Sequence, residues 1–324
     1  MDLSTRGQFL RRGVVAAAAL ALPNALAGCE LGGADSREDP WATRPGELPP
    51  DGHPIVAGHV LPAGRGWRPG PPFDRWVPAK GRKPVFWCTN AGVDGAFDLA
   101  RELAAGYSQT GLWPCLWLFP TDGPDGYCDR PARIAAIDAG KARGVLAEQW
   151  RRHPPERSWV APLDPNFPGL AEPTGPPRPG FDPFGLLETR QQADASWDPT
   201  ALRPQLMLVP CERPADAVAR IGLECGTTYA GVEDPAEVSS VLRSWEQRFH
   251  ATLVGLGPGM VVLAVGAPPA TFEHALDIAA EQRAFAPNEE AGASGSLARQ
   301  ARTLLTNNFY ESTTSDVWRL GWND

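Results

Sequence analysis

Residues 234–285 read "DPAEVSSVLRSWEQRFHATLVGLGPGMVVLAVGAPPATFEHALDIAAEQRAF", and the fold of the chain turns on how this stretch divides. Asp234, Pro235 and Glu237 supply a helix cap, a first-turn proline and an acid at the third helical position. Val238, Val241, Leu242, Trp245 and Phe249 then recur at helical spacing, so an apolar stripe runs along a helix that ends near His250. From Ala251 the pattern changes to two apolar runs of strand length on either side of a glycine–proline turn, which predicts a hairpin. Thr271 opens another helix that continues to about Phe285. One stretch thus holds both the helical period and strand-length runs.

The same reading extends outward. "QLMLVPC" (205–211) is a strand, Pro214 starts a short helix closed by Gly222, and a helix from Leu297 to Leu305 precedes a final strand, "DVWRLGW" (316–322). Upstream, "KPVFWCTN" (83–90) is a buried strand and Asp94 can cap the helix that follows. Its face is formed by Ala96, Leu99, Ala100 and Leu103. "LWPCLWLFP" (112–120) is a second strand, where Pro114 suggests an edge or a bulge. A helix spans about Ala142 to Trp150. The expected class is α/β, with α+β as the alternative: a mixed sheet flanked by amphipathic helices, behind a disordered N-terminal signal and tether. The expected divisions are an N-terminal α/β portion at 81–160, a Pro-rich connection at 161–201 and a C-terminal α/β domain at 202–324.

The beginning of the chain carries different information. In "FLRRGVVAAAALALPNALAGCE" (9–30), Arg11 and Arg12, with Arg6 just before, precede an apolar run from Gly13 to Leu22. That run is about half the ~20 residues a membrane-spanning helix needs. A basic start, a short apolar run and small residues after it make a secretory signal peptide, expected at 1–28. Leu26-Ala27-Gly28-Cys29 resembles the bacterial lipobox, which implies a thioether-linked diacylglycerol on the Cys29 thiol, palmitate among the attached lipids, and cleavage just before the cysteine. Thr5 to Arg11 resembles the twin-arginine export motif, with Gly7 where the second arginine belongs. Residues 29–80, rich in Pro, Gly and charge, are expected to form a tether without packed structure. Trp67, Phe73, Trp76 and Val77 are placed to dock its end. The expected location is extracytoplasmic, lipid-anchored to the outer face of the cell membrane.

Composition bounds the rest. A chain of 324 residues with 43% hydrophobic residues can bury a sizeable core. A formal charge of −8 argues against a nucleic-acid partner, which would need clustered Lys and Arg. The 12 tryptophans are scattered, which favours core anchors over a carbohydrate-stacking surface. Apart from Cys29, the cysteines are Cys88, Cys115, Cys128, Cys211 and Cys225, an odd number with no Cys-x-x-Cys pair. Cys115 with Cys128 and Cys211 with Cys225 lie near enough in sequence to pair, although spacing does not fix connectivity.

Few motifs suggest chemistry. Gly255-Leu256-Gly257-Pro258-Gly259 lacks the spacing of a dinucleotide loop and leads into a strand, so it is a hairpin turn. His274, Asp277 and Glu281, at i, i+3 and i+7, project from one side of a helix. They are the candidate catalytic residues, able in principle to hold a divalent metal or to supply a general base with its orienting carboxylate, although a solvated polar face shows the same spacing. His250 reads as a cation near the carbonyls at a helix end. Gly292-Ala293-Ser294-Gly295-Ser296 reads as a loop with a serine cap rather than an anion site. Neither G-x-S-x-G nor a cysteine beside a credible His partner occurs. No cofactor and no metal site is expected.

The stretch from Leu242 to Asn288 resembles the bacterial domain-of-unknown-function family 4253. Weaker similarity reaches back through "LMLVPCERPADAVARIG", "FPGLAEP" and "TGLWPCLWLFP" to about residue 82. The resemblance implies a mixed α/β fold and transfers no activity. The functional expectation is a non-enzymatic envelope lipoprotein that binds an unknown protein or small-molecule ligand. The alternative is a hydrolase or metal-dependent enzyme built on His274, Asp277 and Glu281.

Overall fold

The computed structural model describes residues 43–70, 75–118, 131–155, 165–193, 203–223, 234–286, 296–306 and 314–322, with residues 124, 128, 160, 163 and 232 between them. The chain divides into residues 1–39 and 40–324, and every described residue lies in the second unit. Cys29, the expected signal peptide at 1–28, Phe73, Cys225 and Gly292 to Gly295 fall outside the described residues. Among the described residues, no helix is long and apolar enough to cross a membrane.

The strands are β1 (Ile55–Val56), β2 (His59–Val60), β3 (Gly64–Pro69), β4 (Trp76–Pro78), β5 (Phe86–Thr89), β6 (Leu112–Trp117), β7 (Gln205–Pro210), β8 (Ala251–Gly257), β9 (Met260–Val265) and β10 (Val317–Gly321). The helices are α1 (Ala96–Ala105), α2 (Tyr107–Thr110), α3 (Ala142–Arg152), α4 (Pro183–Ala193), α5 (Ala217–Ile221), α6 (Pro235–Phe249), α7 (Phe272–Phe285) and α8 (Leu297–Thr303). Eight strands form one mixed sheet in the order β10-β9-β8-β6-β7-β5-β3-β4, antiparallel except for β6 beside β8. β1 and β2 make a separate small hairpin. The expected α/β class is therefore found, with a mostly antiparallel sheet.

Every residue of β5 to β9 is buried, so both faces of that part of the sheet are covered. α1 and α4 pack on each other and on the sheet, while α5 and α6 pack on β7 and β8 with α3 and α7 beyond them. These two groups touch the same sheet without sizeable packing on each other, which puts them on opposite faces. Local sequence explains the α6–β8–β9–α7 unit. Asp234 accepts from the Ala236 N–H at 2.8 Å, Pro235 fills the first turn, and Thr271 accepts from the His274 N–H at 3.3 Å. Gly257 pairs with Met260 across a Pro258-Gly259 turn, with Gly259 at φ 55°. Aromatic rings lock helices to sheet. Trp245 meets Phe285 at 4.8 Å and Trp318 at 5.6 Å, and Phe285 meets Trp322 at 4.9 Å, in edge-on or tilted geometries. Every tryptophan among the described residues is buried, as expected of core anchors.

Several expectations are corrected. Residues 64–69 and 76–78 are sheet strands, so the unpacked tether does not extend to residue 80. Trp67 and Trp76 supply the apolar surface that Pro and Gly lack: both are buried, and Trp76 packs edge-on against Phe86 and Trp117 and donates to the Ile221 carbonyl at 3.1 Å. Helix α4 lies inside the expected Pro-rich connection, anchored by buried Phe184 and Leu187. Pro114 is in an interior strand. It is tolerated because the ladder between β6 and β8 contains only Leu116 and Trp117, and the Trp113 indole donates to the Leu253 carbonyl at 2.8 Å beside that gap. The residue capping α1 is Gly95, at φ 68°, while Asp94 pairs with Arg203 at 2.6 Å. Cys115 and Cys211 are buried free thiols, so neither suggested disulfide forms.

If β4 belongs to the core, Trp76→Ala should cost ~3–5 kcal/mol, as large aromatic truncations in packed interiors do. Urea unfolding measures this, and a change below about 1 kcal/mol would return the segment to a tether role.

Candidate functional site

Helix α6 carries charge on both flanks of its apolar stripe. At 100° per residue, Ser239, Arg243 and Glu246 lie to one side of Val238, Leu242 and Trp245, and Ser244 and Arg248 lie to the other. Each flank meets a different neighbour, and each contact buries an ion pair.

The first flank faces the turn after β7. Asp216 is fully buried and accepts from Arg243 Nε at 2.5 Å and Nη2 at 2.8 Å, and from the Arg213 backbone N–H at 3.1 Å. Glu246 is also buried, but among the described residues Arg213 Nη1 is its one donor, reaching Oε2 at 2.8 Å, and Oε1 has no hydrogen-bond partner. Burial pushes the Glu246 carboxyl up to about 7, with nearby Asp216 adding to the rise and Arg213 and Arg243 opposing it. Tyr107 and Cys211 border the cluster: the Tyr107 hydroxyl donates to the Cys211 carbonyl at 3.0 Å. Burial raises the pKa of the Cys211 thiol well above its ordinary value, and nearby Asp216 adds to the rise. That thiol is consequently a poor nucleophile.

The second flank faces α7 and decides the fate of the sequence-derived trio. Glu281 is fully buried and accepts from Arg248 Nη1 and Nη2 at 2.7 and 2.6 Å, the Trp245 indole at 2.8 Å and the Ala171 N–H at 2.7 Å. Arg248 Nη1 also donates to the Ala171 carbonyl at 2.9 Å, and Thr174 bonds the Arg248 and Ala267 carbonyls. Glu281 is therefore a staple that fastens residues 171–174 and α6 to α7. His274 places Nε2 2.7 Å from the Glu172 carbonyl. Burial raises the Asp277 pKa, while neighbouring His274 opposes the rise.

The three residues thus share the side of α7 that the spacing predicted, but Glu281 is spent on structural donors. Among the described residues, no three His, Cys, Asp or Glu side chains are grouped so as to hold a metal ion. His250 is also reassigned. It ends α6 in the left-handed region at φ 52°, and burial lowers its pKa, which favours a neutral ring over the expected cation. Sequence reasoning missed Arg213, Asp216, Arg243 and Glu246. The available signal was the placement of Arg243 and Glu246 three residues apart, directly beside an apolar stripe rather than opposite it.

Residues 205–322 match the model of a family described as a domain of unknown function (DUF4253). No curated protein and no solved structure matches the chain. The matched span contains the ion pairs on both flanks of α6, and leaves β1 to β6 and the stapled segment 171–174 outside it.

Two outcomes follow from these clusters. Glu281→Gln leaves Arg248 buried without its counter-ion and should cost ~3–5 kcal/mol in urea unfolding, because one partner of a buried pair is removed. Glu246 gives a pH effect of defined sign. Its folded pKa, about 7, lies above the ordinary 4.5, so the protonated form favours folding. Its contribution is most favourable below pH 4.5, is lost as pH rises toward 7, and is level above that. Thermal unfolding of wild type and Glu246→Gln between pH 4.5 and 8 should show the wild type losing more stability with rising pH; parallel curves would refute the assignment.

Proposed function

We propose that the chain is an extracytoplasmic lipoprotein, held at the outer face of the cell membrane by acyl chains on Cys29, whose body binds a protein or small-molecule ligand rather than catalysing a reaction. The anchoring part rests on the order of residues 6–29: three arginines, about ten apolar or small residues, then Leu26-Ala27-Gly28-Cys29. That order suits signal peptidase processing followed by acylation. Two acyl chains anchor stably where one is marginal, at ~0.8 kcal/mol per buried CH2.

The binding part rests on the state of Glu281. A hydrolase or metal enzyme built on His274, Asp277 and Glu281 needs that carboxylate as a base, an orienting group or a ligand. Its oxygens are instead taken by Arg248, Trp245 and the Ala171 N–H. The free thiols of Cys88, Cys115 and Cys211 are buried, and burial raises the pKa of each, which further weakens a covalent mechanism.

Intact mass spectrometry of membrane-extracted protein tests the anchor. The expected species begins at an acylated Cys29, and Cys29→Ser should lack the acyl chains and retain residues 1–28. A wild-type species recovered from the cytosol, unmodified at Cys29 and still carrying residues 1–28, would overturn the proposal.

A further inference from the structure

Ile55 and Val60 are 70% and 68% exposed, the large hydrophobic residues left open to solvent among the described residues. They face each other across the β1–β2 ladder, so their side chains share one face of the hairpin. The hairpin lies outside the main sheet and turns at Ala57 and Gly58, both at positive φ. From Gly52 to Leu61 the sequence contains no Asp, Glu, Lys or Arg. His59 lies on the other face of the hairpin, with Nδ1 3.1 Å from Glu102 of α1.

The position of this hairpin matters more than its size. A Cβ on Gly106 would lie 3.0 Å from the Ala57 Cβ, so the hairpin turn rests on the junction of α1 and α2. The chain arriving from Cys29 enters the body at the same place. Thr43 Oγ1 donates to the Ser108 carbonyl at 3.3 Å, and the Gly46 N–H donates to the Gly111 carbonyl at 2.9 Å. The entry point and the open apolar pair therefore both rest on residues 106–111. Cys29 to Ala42 is a run of 14 residues, which reaches ~50 Å at most.

We propose that the β1–β2 hairpin is a membrane-contact site at which Ile55 and Val60 insert into the interfacial region of the lipid bilayer that holds the anchor. The inference rests on the anchoring of Cys29 proposed above. Once the anchor holds the body within reach of the bilayer, docking is an intramolecular step at an effective concentration in the millimolar range, so two aliphatic side chains suffice where they would not recruit a free protein. The hairpin has no Asp, Glu, Lys or Arg of its own to dehydrate on insertion. A lipid surface fits the face better than a protein does, because two aliphatic side chains with no aromatic or arginine anchor lack the usual centre of a protein interface.

The test uses the full mature, acylated protein reconstituted in phosphatidylcholine vesicles, with an environment-sensitive dye on Val60→Cys and, as control, on exposed Arg143→Cys of α3. The expected result is a blue-shifted emission at position 60 and severalfold quenching by nitroxide-bearing lipids, with the α3 label unaffected. Adding Ile55→Asp should abolish most of that quenching without altering the fold, since the side chain is open to solvent. A label at position 60 that stays in water while mass spectrometry finds Cys29 acylated overturns the docking alone. An unacylated Cys29 overturns the anchor and the docking together. Dye protection that needs no vesicles and grows with protein concentration assigns the face to a second copy of the chain, and also overturns the proposal.

Discussion

The architecture depends on helix α6 being held on both sides by buried arginine–carboxylate contacts. On one flank Arg243 grips Asp216 and Glu246 meets Arg213; on the other Arg248 grips Glu281. Such pairs contribute little net stability, because removing charges from water offsets most of their attraction. Their effect is on arrangement. With one partner displaced, a charge would be left buried and unpaired, so alternative positions of α6 are strongly disfavoured. The aromatic cluster around Trp245 supplies the apolar driving force beneath, and the ion pairs select the geometry in which it is used.

Those contacts also determine what α6 organises. Asp216 and Arg213 belong to the turn that leaves β7, which lies in the sheet between β6 and β5. Glu281 belongs to α7, and its acceptance from the Ala171 N–H brings in a segment that would otherwise cross the surface as a proline-rich loop. The sheet therefore draws on the whole described chain. β6 comes from the N-terminal half and lies between β7 and β8 of the C-terminal half, beside β8 in the one parallel pairing. A parallel neighbour requires a long crossover, and the residues between Trp117 and Ala251 provide one.

What the sequence reveals follows from how local the cause is. The caps at Asp234, Thr271 and Ser296, the turn at Pro258-Gly259 and the stripe on α6 are determined within a few residues, and all are found where the pattern predicts. β3 and β4 are different. They lie in Pro- and Gly-rich sequence, and what holds them in the sheet is the pairing of β3 with β5 and of β4 with β3, together with the burial of Trp67 and Trp76. α4 is hidden in the same way by the prolines around it. The trio on α7 shows the limit for sites. Helical spacing places His274, Asp277 and Glu281 on one side, but only the fold shows that Glu281 lies against Arg248 and Trp245, more than 30 residues away.

The two glutamates at the flanks of α6 show why residue type alone predicts so little about chemistry. Both are buried carboxyls beside arginine. Glu281 receives four hydrogen bonds, two of them a matched fork from one guanidinium, so most of its lost hydration is replaced. Among the described residues, Glu246 receives one bond from Arg213, leaves an oxygen unpaired, and shares its surroundings with Asp216, which takes the fork of Arg243 for itself. Burial drives this incompletely hydrogen-bonded Glu246 carboxyl toward the neutral form. The distribution of donors separates a carboxylate that serves as a staple from one left with an open oxygen. Because Glu246 sits where α6 meets the turn after β7, its proton is coupled directly to the contact that positions the helix against the sheet.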